Sequence, residues 1–446
     1  MPHRALPTRP ARPLWQWALP FLAVLGAAGG GVYLSTRPQN PPVQAAAQAR
    51  TVAGDWAELR ALGPRPVGEP GHARALDWLE EQLEALGYRV TRQPVTLERP
   101  FDLGGTVTVG ELRVPAHALY GAGGGEQSGR LVPLPGGLSP GAMEARGLRG
   151  QIALLRCQDW EDTGLSRGEI VGRATQAGAL GLVLVQDCEV ARLERVSGTP
   201  LPMVWVSAAD GRKVWARAGQ AADLVSKVER REVTGANLIA ARVEAKPEIV
   251  LGAHLDSVNA SPGANDNASG VLAVLEVARR AAGTPLAERT WLVLFDGEED
   301  GLYGSRTFVD AHRFPLRQTR AMLNLDMVGV GAEPLGVAAH AELRPIAQRV
   351  RPGVRLFEDN PPERESFGRS SGVTGSSDHV PFIGWGVRTA FIHRGLDEGY
   401  HATADRTLSP ALVEGAAAFA LALARKTLDT PWTPTEPCEG FSSDGC

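Results

Sequence analysis

Apolar positions change rhythm along this chain, and each rhythm predicts a different element. Residues 14–34 carry no charge, and Phe21-Leu-Ala-Val-Leu-Gly-Ala-Ala at their centre is continuously apolar. Residues 55–87 then take a helical period and read as a helix pair. Between Asp77 and Gly87 the apolar residues fall at 78, 79, 83 and 86, and Gly87 suits a helix C-cap. A strand is predicted from Tyr88 to Leu97. From residue 104 to 234 the texture is Gly-rich with short β-like runs. Within it lie Ile152-Ala-Leu-Leu, a helical patch from Ile170 to Gly178, and Gly181-Leu-Val-Leu-Val. Leu201-Pro-Met-Val-Trp-Val and a helix over Ala208–Ala218 close this region. Tyr120-Gly-Ala-Gly-Gly-Gly reads as a flexible loop. It lacks the full dinucleotide fingerprint, so it carries no phosphate-binding weight.

From Ala236 the pattern becomes strand-helix alternation. Strands are predicted at Asn237–Val243, Glu248–Ala253, Trp291–Phe295, Ala321–Leu325 and Thr389–Ile392. Helices are predicted at Ala268–Ala282, Ala341–Val350 and Pro410–Thr427, the last Ala-rich and assigned to core packing. Such alternation argues an α/β sheet with helices on both faces, whose ligands gather at the carboxyl ends of strands.

Composition narrows the class. The 46 Lys+Arg against 50 Asp+Glu leave a formal net charge of −4, without the basic excess of a nucleic-acid binder. Nor is this an acidic disordered chain. Nine His and four Cys exclude a multi-finger zinc protein and a disulfide-dense mini-scaffold. Arg4, Arg9 and Arg12 precede the uncharged stretch, which makes it an export-type segment. Its 21 residues match the ~20 that span a bilayer, and Trp15, Trp17 and Tyr33 sit near its ends. Gln16, Pro20 and Gly29-Gly30-Gly31 weigh against a span, and a small-residue cleavage site stands far downstream at Ala45-Ala46-Ala47. The balance favours an uncleaved anchor over a cleaved signal peptide. Residues beyond 40 are then extracytoplasmic, either membrane-anchored or secreted, with a linker up to Ala49. An oxidising compartment favours disulfides. Cys157 and Cys188 each follow a strand-like run, so a bridge between neighbouring strand ends is expected. Cys438 and Cys446 would close a short loop in the Gly/Ser/Pro-rich tail.

The chemistry stands at the strand exits. His254 and Asp256 follow the strand at 248–253, and Asp296, Glu298 and Glu299 follow the one at 291–295. Asp326 follows 321–325, and His401 lies beyond 389–392. Asp266 sits just before the helix at 268–282. Acids converging on one cleft would repel one another, and a divalent cation relieves that cost. Imidazole with carboxylate suits zinc. There are ligands for more than one ion. Two zinc ions would need a bridging carboxylate, and a separate carboxylate as general base. In the pair Glu298-Glu299 one can bind metal while its neighbour faces the water. Asp256 can reach back to the other imidazole nitrogen of His254.

Five motifs then carry a resemblance. They are His254-Leu-Asp-Ser-Val, Gly263-Ala-Asn-Asp-Asn-Ala-Ser-Gly, Phe295-Asp-Gly-Glu-Glu-Asp-Gly-Leu-Tyr-Gly-Ser, Asn324-Leu-Asp-Met-Val-Gly and Tyr400-His-Ala-Thr-Ala-Asp. Together they resemble the co-catalytic di-zinc exopeptidases, which include secreted bacterial leucine-type aminopeptidases and glutamate carboxypeptidases. Gly375-Ser-Ser-Asp-His-Val-Pro-Phe is a sixth match, and Gly63-Pro-Arg-Pro-Val-Gly resembles the family's N-terminal segment. The resemblance implies a three-layer α/β/α mixed sheet with an inserted β-rich protease-associated domain. The implied layout is an export segment over 1–40, a first catalytic part over 46–104, and the insert over 105–234. The metal-binding catalytic part follows over 235–430, and a tail over 431–446.

The resemblance also implies roles. His254 and Asp326 would hold one zinc, Glu299 and His401 the other, with Asp266 bridging. Glu298 would be the general base and Asp256 would orient His254. His379 and Tyr400 are the candidates for stabilising the oxyanion. The activity implied is an aminopeptidase acting on peptides or small proteins. The alternatives are a carboxypeptidase, a glutaminyl cyclase on a similar scaffold, and a receptor-like protein without metals. Against these readings, His72, His117, His312, His340 and His393 are taken as satisfied structural histidines. Asp296 and Asp300 are taken as turn-capping acids, Glu276 as a solvated helix face, and Asp378 and Asp405 as loop caps or partners of the ligands.

Overall fold

A computed structural model describes residues 42–433, apart from 136–138, 162–164, 166, 189–198, 332 and 358–376. The expected export segment, Cys438 and Cys446 of the tail, and Gly375-Ser376 of the sixth motif lie outside the described residues. Among the described residues, no helix is long and apolar enough to cross a membrane. Part of the expected linker is a helix, Pro42–Gln48, and Gln44 and Ala47 within it are buried.

The strands among the described residues are β1 (Arg89–Val109), β2 (Leu112–Ala118), β3 (Gly125–Pro133), β4 (Ile152–Arg156), β5 (Gly181–Gln186), β6 (Met203–Ser207) and β7 (Ala221–Ala241). After them come β8 (Ile249–His254), β9 (Thr290–Phe295), β10 (Ala321–Leu325), β11 (Gly336–Ala339), β12 (Arg355–Leu356) and β13 (Thr389–His393). The strand predicted to end at Leu97 continues to Val109. It forms with β7 a long antiparallel ribbon whose register shifts between Asp102 and Gly105.

That ribbon serves two bodies. Beyond the shift, the pairings run β1–β2–β6–β5–β4–β3–β7 and return to β1, closing a barrel. Its interior is apolar, with Val107, Leu131, Leu154, Val183 and Val204 fully buried. Below the shift, β7 pairs with β9 and opens a mixed sheet in the order β7-β9-β8-β10-β13-β11-β12. Its centre, β9-β8-β10-β13, is parallel.

Alternation along the central strands builds both faces of this sheet. Leu251, Leu292 and Leu323 pack toward the helices Ser269–Ala281 and Pro410–Asp429. Their neighbours Val250, Val293 and Met322 pack with Phe308, Leu316 and Phe382 on the other side. Strand residues of period two thus bury both faces, and this body is the expected three-layer sandwich. The chain enters β8, then β9 on one side, then β10 on the other. The carboxyl ends of β8 and β10 therefore flank a topological switch point, where such sheets bind ligands.

In the barrel, Cys157 and Cys188 form a disulfide with Cα atoms 5.3 Å apart. They follow the adjacent parallel strands β4 and β5. Replacing both with Ala is expected to lower stability by ~2–4 kcal/mol. Thermal unfolding in oxidising buffer measures it, and an unchanged midpoint would show that the bridge contributes nothing.

Candidate metal centre

His254 is the last residue of β8 and Asp326 follows the last residue of β10, so the switch point brings them together. His254 Nε2 stands 3.4 Å from Asp326 Oδ1 and 3.2 Å from Asp266 Oδ1. His401 Nε2 stands 3.1 Å from Asp266 Oδ2 and 3.1 Å from Glu299 Oε2. Asp266 therefore turns one carboxylate oxygen to each histidine. Zinc bonds of about 2.0–2.1 Å in tetrahedral geometry place ligand atoms about 3.3 Å apart, which these separations match. Glu299 Oε1 and Asp326 Oδ1 are buried and accept no hydrogen bond among the described residues. A donor set of imidazole and carboxylate with buried oxygens left open fits zinc.

The backbone holds these groups at some strain. His401 and Met327, the residue after Asp326, both have φ of 51°, and Leu302, closing the Glu298-Glu299 loop, has φ of 60°. Non-glycine residues in this region cost energy and cluster at functional sites. Asp266 lies in a buried turn, Ala264–Ala268, that enters the helix Ser269–Ala281. Gly270 lets that helix approach β10, since a Cβ there would stand 2.3 Å from Leu325 O.

Two buried carboxylates fasten the ligand-bearing backbone. Asp256 accepts the amides of Glu298 and Glu299 at 3.1 and 3.2 Å. Its carboxylate is 3.6 Å from His254 Nδ1, while its own carbonyl oxygen is nearer, at 3.3 Å. The Asp256 carboxylate therefore stands beside the imidazole without hydrogen-bonding it, and its hydrogen bonds go to the Glu298-Glu299 loop. Asp405 accepts the amides of Asn265 and Asp266 at 2.7 and 3.0 Å, tying the His401 loop to the bridging turn. Ser377 donates to Asp326 at 2.9 Å and receives from Asn324 at 2.8 Å.

Electrostatics suit a cation site. Burial opposes charging His254 and His401, yet the carboxylates around them hold both well above the ordinary imidazole range. Burial raises Glu298 well above the carboxylate range, with the charges of Glu299, Asp378 and Asp326 adding to it. Burial pushes Glu299 and Asp378 each up to about 7. A divalent ion would relieve this crowding.

Some residues take parts their sequence did not disclose. Arg65 is fully buried beneath the site and donates to Leu255 O at 2.7 Å, Pro262 O at 2.8 Å and Gly263 O at 2.9 Å. It clamps the segments leading out of β8 and into the Asp266 turn. The signals for it were its place between two prolines and within the Gly63-Pro-Arg-Pro-Val-Gly motif. Asp296 caps Gly297 N as a turn acid would, and its carboxylate also accepts Ala236 N and pairs with His72 Nε2 at 2.9 Å. Asp300 is more than a turn cap, for it pairs with Arg99 and Tyr120. Glu276 pairs with Arg279 and Arg280 and is mostly buried. Tyr400 stacks on the His401 ring at 3.8 Å, and His379 is buried and stacks on Phe391 at 4.8 Å.

Residues 237–423, which hold all the proposed ligands, match the family model Peptidase family M28. The chain is similar to aminopeptidase YwaD of Bacillus subtilis, 29% identical over 74% of this chain and 72% of that protein. It is 30% identical to the probable lipoprotein aminopeptidase LpqL of Mycobacterium tuberculosis, over 60% of this chain but only 55% of LpqL. The fold is similar to that of BSAP, a zinc aminopeptidase from Bacillus subtilis, with a TM-score of 0.67 and 24% identity over 84% of this chain and 93% of that one. The aminopeptidase of Aneurinibacillus sp. strain AM-1 superposes with a TM-score of 0.59 and 23% identity, over 86% of this chain and 95% of that one. The matched residues cover β8–β13 and the helix Ser269–Ala281, and most of the barrel precedes them in the chain.

Proposed function

We infer that the protein is a zinc-dependent aminopeptidase that removes N-terminal residues from peptides. The observation that carries this reading is Asp266, with one oxygen toward His254 and Asp326 and the other toward His401 and Glu299. In this reading two zinc ions are held, one by His254, Asp326 and Asp266, the other by His401, Glu299 and Asp266. Bound zinc polarises the scissile carbonyl and acidifies water. Glu298 takes the proton of the attacking water and passes it to the leaving amine. Its elevated pKa, set by burial, suits a group that must first take and then give a proton. Asp256 keeps Glu298 in place through the amide it accepts. Tyr400 and His379 are the candidate donors to the developing oxyanion. The barrel, residues 105–234 of the expected layout, is our candidate for a protease-associated insert.

An extracytoplasmic setting is supported by the kinship with LpqL, named a lipoprotein aminopeptidase, and by the disulfide in the barrel. Anchoring through residues 14–34 is part of the proposal, and alkaline carbonate extraction of membranes tests it. A panel of amino-acid p-nitroanilides, each free and N-acetylated, tests the activity. Cleavage of the free forms alone is expected. Equal cleavage of blocked forms would overturn the aminopeptidase reading.

A further inference from the structure

We propose that Tyr120, carried by the barrel, is a positioning residue for the loop that bears Glu298 and Glu299. The inference rests on the roles given to those two residues above.

Tyr120 lies between β2 and β3. The segment read from sequence as a flexible loop is fastened to the barrel on both sides of it. Leu119 is buried in a barrel cluster and its amide donates to Met203 O at 2.9 Å. Ala122 is fully buried, and its amide donates to Leu119 O at 3.0 Å. Gly123 packs so closely that a Cβ there would stand 2.1 Å from Pro200 O. The tyrosine is thus presented from a fixed base.

Its hydroxyl donates to the carboxylate of Asp300, the residue directly after Glu299. Arg99, in β1, completes the contact. Its Nε is 3.0 Å from the Tyr120 oxygen and 3.1 Å from Asp300 Oδ2. Another of its nitrogens donates to Val67 O at 2.7 Å. Arg99 and Asp300 are both buried, at 3% and 4% exposure, so their pairing is little screened by solvent. Burial and the Asp300 charge raise the Tyr120 phenol, so it stays a donor.

The loop carries this grip to the base. Gly301 N and Leu302 N both donate to Glu298 O, at 2.8 and 3.0 Å, and Tyr303 N donates to Gly297 O at 3.0 Å. Asp300 lies inside this closed turn. Asp256 holds the same loop through the amides of Glu298 and Glu299. The loop is therefore gripped at two places, by Asp256 just past the end of β8 and by Tyr120 with Arg99 from the barrel side. This gives the barrel a part in setting the catalytic geometry.

Tyr120→Phe keeps the ring and removes only the hydroxyl. With Tyr120 as a positioning residue, the variant is expected to unfold at nearly the wild-type temperature. Its kcat is expected to fall about tenfold with KM within twofold, and zinc transfer to a chelator to quicken about tenfold, as when a partner that orients a ligand is lost. Asp300→Asn is expected to lose as much, and the double variant no more than the worse single one, because the two act through one contact. Wild-type kcat and wild-type zinc release in Tyr120→Phe would overturn the proposal, as would losses that simply add in the double variant. A lowered unfolding temperature with both rates unchanged would also overturn it, leaving a packing contact. A wild-type chain that cleaves none of the anilides would fail the functional reading instead, and zinc release would still decide the part played by Tyr120.

Discussion

Glu298→Gln is expected to keep its zinc and lose turnover by about 10²–10⁴-fold, the usual cost of a lost general base. That is about 3–5 kcal/mol of barrier. The side chain is nearly isosteric, and the amide that Asp256 accepts is untouched, so the loop should not move. The carboxylates facing Nε2 of His254 and His401 belong to Asp266, Asp326 and Glu299. Zinc content should therefore survive the change. Burial already raises Glu298, and Glu299, Asp378 and Asp326 raise it further. Removing its ability to titrate takes away a proton carrier and leaves the neighbouring ligands in place. Steady-state kinetics on a free aminoacyl p-nitroanilide, with zinc measured by mass spectrometry on the same sample, separates the possibilities. Near-normal kcat would sink the base assignment, and a loss of zinc would move Glu298 into the ligand set.

The candidate site was legible because its residues stand where strands end. His254, Glu299 and Asp326 each follow an apolar run, and parallel strands deliver their carboxyl ends to one edge of the sheet. Sequence order alone therefore placed them near one another. The disulfide was readable for the same reason, since β4 and β5 are neighbours and each ends just before its cysteine. Helix and strand periods located most elements within a few residues, because both faces of the sheet are buried and the apolar runs are unbroken.

What stayed hidden depends on contacts between distant parts of the chain. Asp296 looked like a turn cap because its local partner, Gly297 N, is one residue away, while His72 is 224 positions away. Arg65 gave no local sign that its guanidinium would bind backbone carbonyls some 190 residues on. β1 was cut short at Leu97, ahead of the Gly-rich texture that begins at residue 104. The chain instead passes through a register shift and runs on into the barrel. The pairing of Asp300 with Tyr120 joins residues 180 apart, and no periodicity within either segment encodes it.

Asp266→Ala tests the other half of the reading, that one carboxylate serves both histidines. The turn Ala264–Ala268 is buried and its backbone is held by Asp405 through the amides of Asn265 and Asp266. Alanine adds no bulk there, so the variant should fold. His254 and His401 would each lose the oxygen now 3.2 and 3.1 Å away, and with it the charge shared between them. Zinc content is then expected to fall sharply. Activity should drop by about 10³-fold or more, since the metal contributes several kcal/mol of charge stabilisation. Added zinc should restore little of it, whereas wild-type enzyme stripped by a chelator should recover on adding zinc. This pattern differs from that of Glu298→Gln, which keeps metal and loses turnover. A variant that binds only one ion fewer and retains most of its turnover would show that a single zinc carries the reaction. Full zinc content with wild-type kcat would remove Asp266 from the site altogether.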